Sequence, residues 1–345
     1  MAFKVVQLLE LPDMPDYSEM FRQAGVEVEL AKKIDPIPLT EDQIIAAVGD
    51  ADAAIAGTTV QPFSRKVFKS LSNFKFIMSI GIGYDNLDVQ AATELCILAA
   101  NIPDYCLEEV SDHTMALILA CTRRVVQLDG IVKQGGWKSL AEPHIQSDIW
   151  PNLSRLRGQT LGLIGLGRIP QALVPKAQGF GLRIIAFDPY IAPDIFQELG
   201  VEQVNLEQLL TQSDIVSIHV PVTPETRHLL GLEQLKQMKP TACLINTARG
   251  PIVDHEALYT VLSQGGISAA AVDVTDPEPL PPDSPLLNLD NIIITAHCAG
   301  ISPMSSAELL RRPGEEVIRL VRGEWPVGLL NPQVKEKYRQ KWAQS

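Results

Sequence analysis

Residues 160–189 read TLGLIGLGRIPQALVPKAQGFGLRIIAFDP, and the reading of this stretch decides the fold. Leu161–Ile164 is a short apolar run bounded by glycines, the pattern of a buried strand. Gly165-Leu166-Gly167-Arg168-Ile169 follows as a tight turn that lets backbone approach a ligand and opens a helix. A second apolar run, Arg183–Phe187, ends in the acid Asp188. Strand, glycine turn, helix, strand and acid, in that order, make the layout of a dinucleotide site. Asp188 lies 188 − 165 = 23 residues after the first glycine, near the roughly 20 expected of a carboxylate that binds the adenosine ribose. Exposed N–H groups at the helix start, with the dipole behind them, would hold the pyrophosphate. Pro170 occupies the third small position of the fingerprint, and Pro175 lies deep enough to kink the helix.

Outward from this unit the chain alternates β and α. Before it, strands are expected near Lys4–Leu9, Val26–Leu30, Ala53–Gly57, Phe74–Ile80 and Ile97–Ala100. Helices are expected over Tyr17–Ala24, Glu41–Val48, Arg65–Ser70 and Val89–Glu94. After it come strands near Val201–Val204, Asp214–Val220, Ala242–Thr247, Ser268–Val274 and Asn291–Ala296, with helices Leu206–Gln212, Leu232–Met238 and Glu256–Ser263 between them. Such alternation implies an α/β protein of two doubly wound parallel sheets, each covered on both faces. Glu108–Leu128 reads as one long joining helix, on which His113 is structural. Gly130–Gly158, with Trp137 and Trp150, reads as a loop-like arm. Glu308–Leu320 is helical in pattern but is expected to break at Pro313-Gly314, and the polar last fifteen residues either fray or return to the first unit.

Composition narrows the function. The chain has 345 residues, enough for two domains with cores, and a formal net charge of −12, which argues against nucleic acid or an anionic membrane surface as a partner. No apolar run reaches the roughly 18 residues of a membrane span. The start, MAFKVVQLLELPDMPDY, reads as a first strand rather than a signal peptide, so a cytoplasmic location is expected. Five scattered cysteines form neither a zinc pattern nor a disulfide framework, and no metal site is expected.

Three candidates for chemistry stand at carboxyl ends of strands in the second half: Arg249, Glu278 and His297. An arginine fork can hold a carboxylate and polarise a neighbouring carbonyl. A histidine can exchange the proton that accompanies hydride transfer, and a nearby carboxylate orients it and favours its charged form.

With these residues in place, the sequence strongly resembles the D-isomer-specific 2-hydroxyacid dehydrogenase family over about residues 50 to 332. The resemblance rests on GIGYDNLD (Gly81–Asp88), NIPDYCLEEVSDHT (Asn101–Thr114), GLGRI (Gly165–Ile169), HVPVTPETRHLL (His219–Leu230), NTARG (Asn246–Gly250), DVTDPEPL (Asp273–Leu280) and TAHCAG (Thr295–Gly300). It is nearest the branch of C-terminal-binding-protein homologues and phosphoglycerate-dehydrogenase-like enzymes. The resemblance implies that Arg249, Glu278 and His297 are catalytic, with the family's spacing of 278 − 249 = 29. It implies that backbone amides of Ile82 and Gly83 hold the substrate carboxylate, and that Asp273 faces the nicotinamide carboxamide. Arg168, Ile169, Thr226, Ala248 and Gly300 would line the cofactor site beside Gly165, Gly167 and Asp188.

The cofactor implied is NAD, with Asp188 disfavouring NADP. The substrate implied is a small 2-oxo or 2-hydroxy acid, bound in a cleft between units, and the assembly a homodimer that gives the 130–158 arm a purpose. A flavodoxin-like substrate domain, 1–107 and 303–345, would carry a Rossmann cofactor domain, 108–302, as an insertion. Pro251 departs from the family's second glycine after Arg249. Gly57-Thr58-Thr59 and Ser79 stand where relatives place arginines, and Gly300 where the corepressor homologues carry tryptophan. An NAD(H)-sensing corepressor-like protein and a phosphoglycerate dehydrogenase are the alternatives.

Overall fold

The computed structural model describes residues 2–32, 38–139 and 141–342. They divide into two compact units, one of residues 1–105 and 302–345 and one of residues 106–301. Leu140 of the expected arm and the last three residues of the polar tail lie outside the described residues. No helix among the described residues is long and apolar enough to cross a membrane.

Unit one is built on strands β1 (Phe3–Gln7), β2 (Val28–Lys32), β3 (Ala53–Ala56), β4 (Phe76–Ser79) and β5 (Leu98–Ala100). Their order is β2-β1-β3-β4-β5, all parallel, the flavodoxin-like winding. The middle strands β3 and β4 are buried along their whole length, which is why they read as unbroken apolar runs rather than alternating ones. Helix N-caps lie where the sequence supplies them. Thr40 makes a capping box with Gln43, Ser64 accepts from the Val67 amide and Asp88 from the Ala91 amide, so these helix starts were legible in advance.

Unit two carries β6 (Thr160–Ile164), β7 (Arg183–Phe187), β8 (Glu202–Gln203), β9 (Ile215–Ile218), β10 (Cys243–Asn246), β11 (Ala269–Val272) and β12 (Ile292–Ile294). The order is β12-β11-β10-β9-β6-β7-β8, again all parallel. Chain order reverses between β6 and β9, the Rossmann switch point beside which such sheets bind ligands. Two cores flank the sheet. Leu161, Leu163, Ile184 and Ala186 pack one way against Ile118, Leu173 and Val174; Ile164, Ile185, Val216 and Ile218 pack the other way against Leu209, Leu258 and Val261. That is the period-two division of a sheet covered on both faces.

Three expectations need correction. The single helix over 108–128 is two, Leu107–Arg123 and Val125–Lys133, because Arg124 takes a left-handed conformation at φ 52. The Arg124 guanidinium is buried and donates to the Ser268 carbonyl (2.8 Å) and hydroxyl (2.6 Å), holding the bend. The arm is less irregular than expected, with helix to Lys133 and short helical turns at Ile145–Ile149 and Trp150–Asn152. The break at Pro313-Gly314 does not occur, and one helix runs Pro303–Val321. Tertiary packing overrides the local breakers there. The helix lies against Tyr17, whose hydroxyl donates to the Leu310 carbonyl at 2.6 Å. The polar tail returns to unit one as a helix, Lys335–Trp342, with the Trp342 indole donating to the Cys96 carbonyl (2.9 Å).

Gly314 yields a test with a sign opposite to propensity. Alanine is favoured over glycine in a helix by about 1 kcal/mol. A Cβ at 314 would, however, stand 2.8 Å from Tyr17 Cδ1, an atom of a fully buried ring that cannot swing away. Gly314→Ala is therefore expected to lose about 1–3 kcal/mol by overpacking, read as a lowered urea midpoint.

Candidate active site

The turn after β6 is shaped for close approach. Gly165 sits at φ +94, and a Cβ there would lie 2.7 Å from the His219 carbonyl oxygen, so only glycine fits. Its amide donates to the Phe187 carbonyl (2.9 Å), fastening the turn to the end of β7. Gly167 then starts the helix Arg168–Gly179 with no side chain capping it. The helix start, backed by its dipole, is the kind of place that takes a pyrophosphate. Pro170 is the third helical residue, where a missing N–H removes no intrahelical bond, and the helix continues through Pro175.

Asp188 does more than the sequence suggests. Its Oδ2 accepts from the Leu166 amide (2.8 Å) and its Oδ1 from the Tyr190 amide (2.9 Å). The acid thus stabilises its own turn and tethers the glycine turn to it. Each carboxylate oxygen has a second lone pair, so the same group can still receive ribose hydroxyls. Turn, uncapped helix and acid together fit a dinucleotide.

Glu278 and His297 meet. Glu278 lies on the loop after β11, between two cis X-Pro bonds, and its Oε1 contacts His297 Nδ1. His297 follows β12 at φ 50. Both side chains are about half exposed, at 49% for His297 and 40% for Glu278, so the ring is open to a ligand while its Nδ1 side is fixed. Arg249 follows β10. Asn246 clamps this turn, donating from Nδ2 to the Arg249 carbonyl (2.8 Å) and accepting the Ala248 amide (3.0 Å). The Arg249 Nη1 donates to the Ala248 carbonyl at 2.7 Å. At the next residue, Gly250, a Cβ would meet the Thr275 carbonyl oxygen at 2.0 Å. Backbone therefore packs on backbone between the arginine turn and the glutamate loop.

Asp273 is the buried hub of this end of the sheet. It is 2% exposed; Oδ1 accepts from Thr295 Oγ1 (2.6 Å) and the Cys298 amide (3.0 Å), and Oδ2 from the Ala299 amide (2.9 Å). His113 Nε2 lies 3.2 Å from Thr295 Oγ1. Because that hydroxyl donates to Asp273, the ring nitrogen is the donor to it. Through Thr295 the His113 ring is thus tied to Asp273. His113, Asp273 and Cys298 also bring three potential metal-ligand atoms within 4.8 Å, but the carboxylate is already engaged by these donors. Asn246 and Thr295 are the residues sequence reasoning passed over; each lies within a motif that was read only for its charged member.

Of the other expected cofactor residues, Thr226 lies on the loop after β9 and Gly300 on the loop after β12. Thr226 Oγ1 donates to the Pro221 carbonyl (2.6 Å) and accepts from the Thr223 amide (2.7 Å), closing its own turn. Gly300 is in the turn after His297. Ile82 and Gly83 belong to unit one, on the turn after β4.

Residues 115–299 match the family model described as D-isomer specific 2-hydroxyacid dehydrogenase, NAD binding domain. The chain is 41% identical over 310 residues to a glyoxylate reductase of Korarchaeum cryptofilum, covering 89% of this chain and 90% of that one. It is 38% identical over 319 residues to a D-3-phosphoglycerate dehydrogenase of Methanocaldococcus jannaschii, covering 92% of this chain and 57% of that longer protein. Among solved structures, a D-lactate dehydrogenase of Aquifex aeolicus complexed with NAD and lactic acid superposes with a TM-score of 0.78 at 26% identity, covering 95% and 98% of the two chains.

His219 offers a contrast to His297. Its partly buried ring lies against the Ser217 hydroxyl, 2.8 Å away, and desolvation pushes its pKa down to about 3. It therefore stays neutral at working pH. A pKa lowered in the folded state means the unfolded chain binds the extra proton first, near pH 6.5. Stability should then be full above about pH 6.5 and decline as pH falls toward 3. His219→Gln is expected to flatten that decline in melting temperature across pH 6.5 to 4.

Proposed function

Because the chain belongs to the D-isomer-specific 2-hydroxyacid dehydrogenase family, whose NAD-dependent members interconvert 2-hydroxy and 2-oxo acids, we propose that it reduces a compact, unphosphorylated 2-oxo acid. Glyoxylate is the first candidate, supported by the glyoxylate reductase relatives. The observation that carries the reading is the contact between Glu278 and His297 Nδ1. It fixes the Nδ1 side of the ring and leaves Nε2 as the nitrogen that can meet a substrate. Phosphate recognition needs a cation or an amide nest, and Gly57–Thr59 and Ser79 supply no charged side chain.

In this proposal Gly165, Gly167, Arg168 and Ile169 hold the pyrophosphate, Asp188 the ribose, and Thr226, Ala248, Asp273 and Gly300 line the rest of the cofactor site. Bound reduced nicotinamide supplies hydride to the carbonyl carbon. Arg249 pairs with the substrate carboxylate and polarises the carbonyl, with Ile82 and Gly83 amides as further carboxylate donors. His297 gives a proton to the carbonyl oxygen, and Glu278 holds the ring in place for the transfer. In the oxidative direction His297 takes the proton back.

His297→Ala is expected to lower turnover about 10²–10⁴-fold with NADH affinity nearly unchanged, measured by absorbance of the nicotinamide on a panel of 2-oxo acids. Retained turnover would remove His297 from the mechanism. On the same panel glyoxylate should surpass 3-phosphohydroxypyruvate, and NADH should surpass NADPH, since a 2′-phosphate would meet the Asp188 carboxylate.

We further propose a homodimer formed through unit two. Helix Val125–Lys133 buries none of its residues, and Val125, Val126, Trp137 and Trp150 are each about half exposed, an apolar stretch of the kind that marks an interface. It borders a groove of about 530 Å³ lined by Arg124, Gly130, His144 and Ile149. Sedimentation equilibrium should give twice the chain mass, and Val126→Glu combined with Trp150→Glu should give the monomer; a monomeric wild type would refute the assembly.

A further inference from the structure

The resemblance assigns the Ile82 and Gly83 amides to a carboxylate, and the turn after β4 shows in addition what holds them in place. Three successive carbonyls, those of Gly81, Ile82 and Gly83, are all held from the same side. The Ile102 amide donates to the Gly81 carbonyl at 3.0 Å. Asn101 Nδ2 donates to the Ile82 carbonyl at 2.7 Å. Ser79 Oγ donates to the Gly83 carbonyl at 3.3 Å. Ser79 ends β4, and Asn101 and Ile102 directly follow β5, its neighbour in the sheet. All three carbonyls therefore point back toward the strand ends.

A trans peptide points its N–H opposite to its C=O. With the carbonyls of residues 81, 82 and 83 turned toward the sheet, the amides of Ile82, Gly83 and Tyr84 must point away from it. None of these three amides has a hydrogen-bond partner among the described residues. Successive outward N–H groups make a concavity that binds anions.

The hydroxyl behind the third carbonyl is itself supported. Ser79 and Thr58 are both fully buried, with their oxygens 2.6 Å apart. Each hydroxyl has one proton. With the Ser79 proton on the Gly83 carbonyl, the Thr58 proton must lie on Ser79. The order Thr58 to Ser79 to Gly83 thus gives both buried hydroxyl protons an acceptor.

We propose that Thr58 and Ser79, with Asn101, are positioning residues that hold a three-amide nest, Ile82, Gly83 and Tyr84, for the carboxylate of a 2-oxo acid. Tyr84 is the third donor, and the support is a neutral hydroxyl relay. This inference rests on the 2-oxo acid reading above but is tested apart from it. A relay without charge holds a monoanionic carboxylate by geometry and adds no cation that would reward a second anionic group.

The first test needs no turnover. Protein labelled with ¹⁵N at Ile, Gly and Tyr is titrated with oxamate, an unreactive 2-oxo acid analogue, in the presence of NADH. The Ile82, Gly83 and Tyr84 amide signals should shift together and saturate. Oxamate that saturates another probe, such as the NADH fluorescence, while these three stay fixed overturns the inference. So does oxamate that binds nowhere, because the nest is then no carboxylate site. If the amides respond and no 2-oxo acid is turned over, the inference stands and the functional reading fails.

The second test separates positioning from mere structure. Ser79→Ala and Thr58→Val each remove one link, and Thr58→Ser keeps the hydroxyl. A lost neutral hydrogen bond predicts roughly a three- to tenfold rise in the oxamate dissociation constant for the first two. Their NADH affinity should be unchanged and Thr58→Ser near wild type. Where turnover is measurable, KM should rise by the same factor with kcat retained. Unaltered oxamate affinity in both Ser79→Ala and Thr58→Val, or equal loss in Thr58→Ser, would refute the relay.

Discussion

The loops that follow β11 and β12 in unit two depend on one buried carboxylate. Asp273 cannot be solvated where it lies, so its lone pairs must be met by protein donors. The donors it takes are Thr295 Oγ1 and the amides of Cys298 and Ala299, while its own carbonyl accepts the His297 amide at 2.8 Å. Satisfying one acid therefore wraps residues 295–299 over the end of β11. That path holds His297 at positive φ, a conformation that costs a non-glycine residue on the order of 1–3 kcal/mol and persists because several bonds determine it at once. The ring is thereby delivered to Glu278, which belongs to the loop that Asp273 itself begins. An acid that has three donors already also has less to offer a carboxamide than the resemblance assumes, and its positioning work is the part visible in the geometry.

What was legible in the sequence was whatever a local pattern determines. The buried strands β3, β4, β6 and β9 read as apolar runs because both faces of each sheet are covered, and helix starts read because Thr40, Ser64, Asp88 and Asn205 really cap. The misreadings were places where distant contacts outweigh local preference. Arg124 bends a helix that its neighbours would continue, since its guanidinium finds Ser268, 144 residues away in the chain. Pro313-Gly314 fails to break a helix because that segment lies on Tyr17, and there the missing Cβ is an advantage. Neither cause has a local signature.

The site shows the same division. Arg249, Glu278 and His297 were visible because charged or titratable residues at strand ends are conspicuous. The uncharged residues that aim them were not. Asn246 fixes the arginine turn through two bonds, and Thr295 carries the His113 ring to Asp273. Such residues act by satisfying backbone or a buried partner, and nothing in composition separates them from ordinary polar residues. Asp188 lies between the cases. Its spacing suggested a ribose ligand, yet its hydrogen bonds show that it first holds the glycine turn together. Loss of that carboxylate would therefore loosen the glycine turn as well as remove the proposed ribose ligand.

A chain of net charge −12 that takes an anionic cofactor and an anionic substrate must attract them locally. Screening helps, since charges more than about 8 Å away are largely silenced at physiological ionic strength. In the proposed site much of that attraction falls to backbone. In unit two the helix after Gly167 begins with no side-chain cap, and in unit one the turn after β4 carries the proposed nest. Amide donors differ from cations in what they select. Their strength depends on direction and falls quickly when a ligand is misplaced, whereas a lysine or arginine follows negative charge wherever it moves. A site that holds a carboxylate mainly by amides rewards a ligand of the right shape and gives little to additional negative charge. Under the proposed function, that arrangement would reward a small monoanion more than a phosphorylated one without any residue placed to exclude the latter.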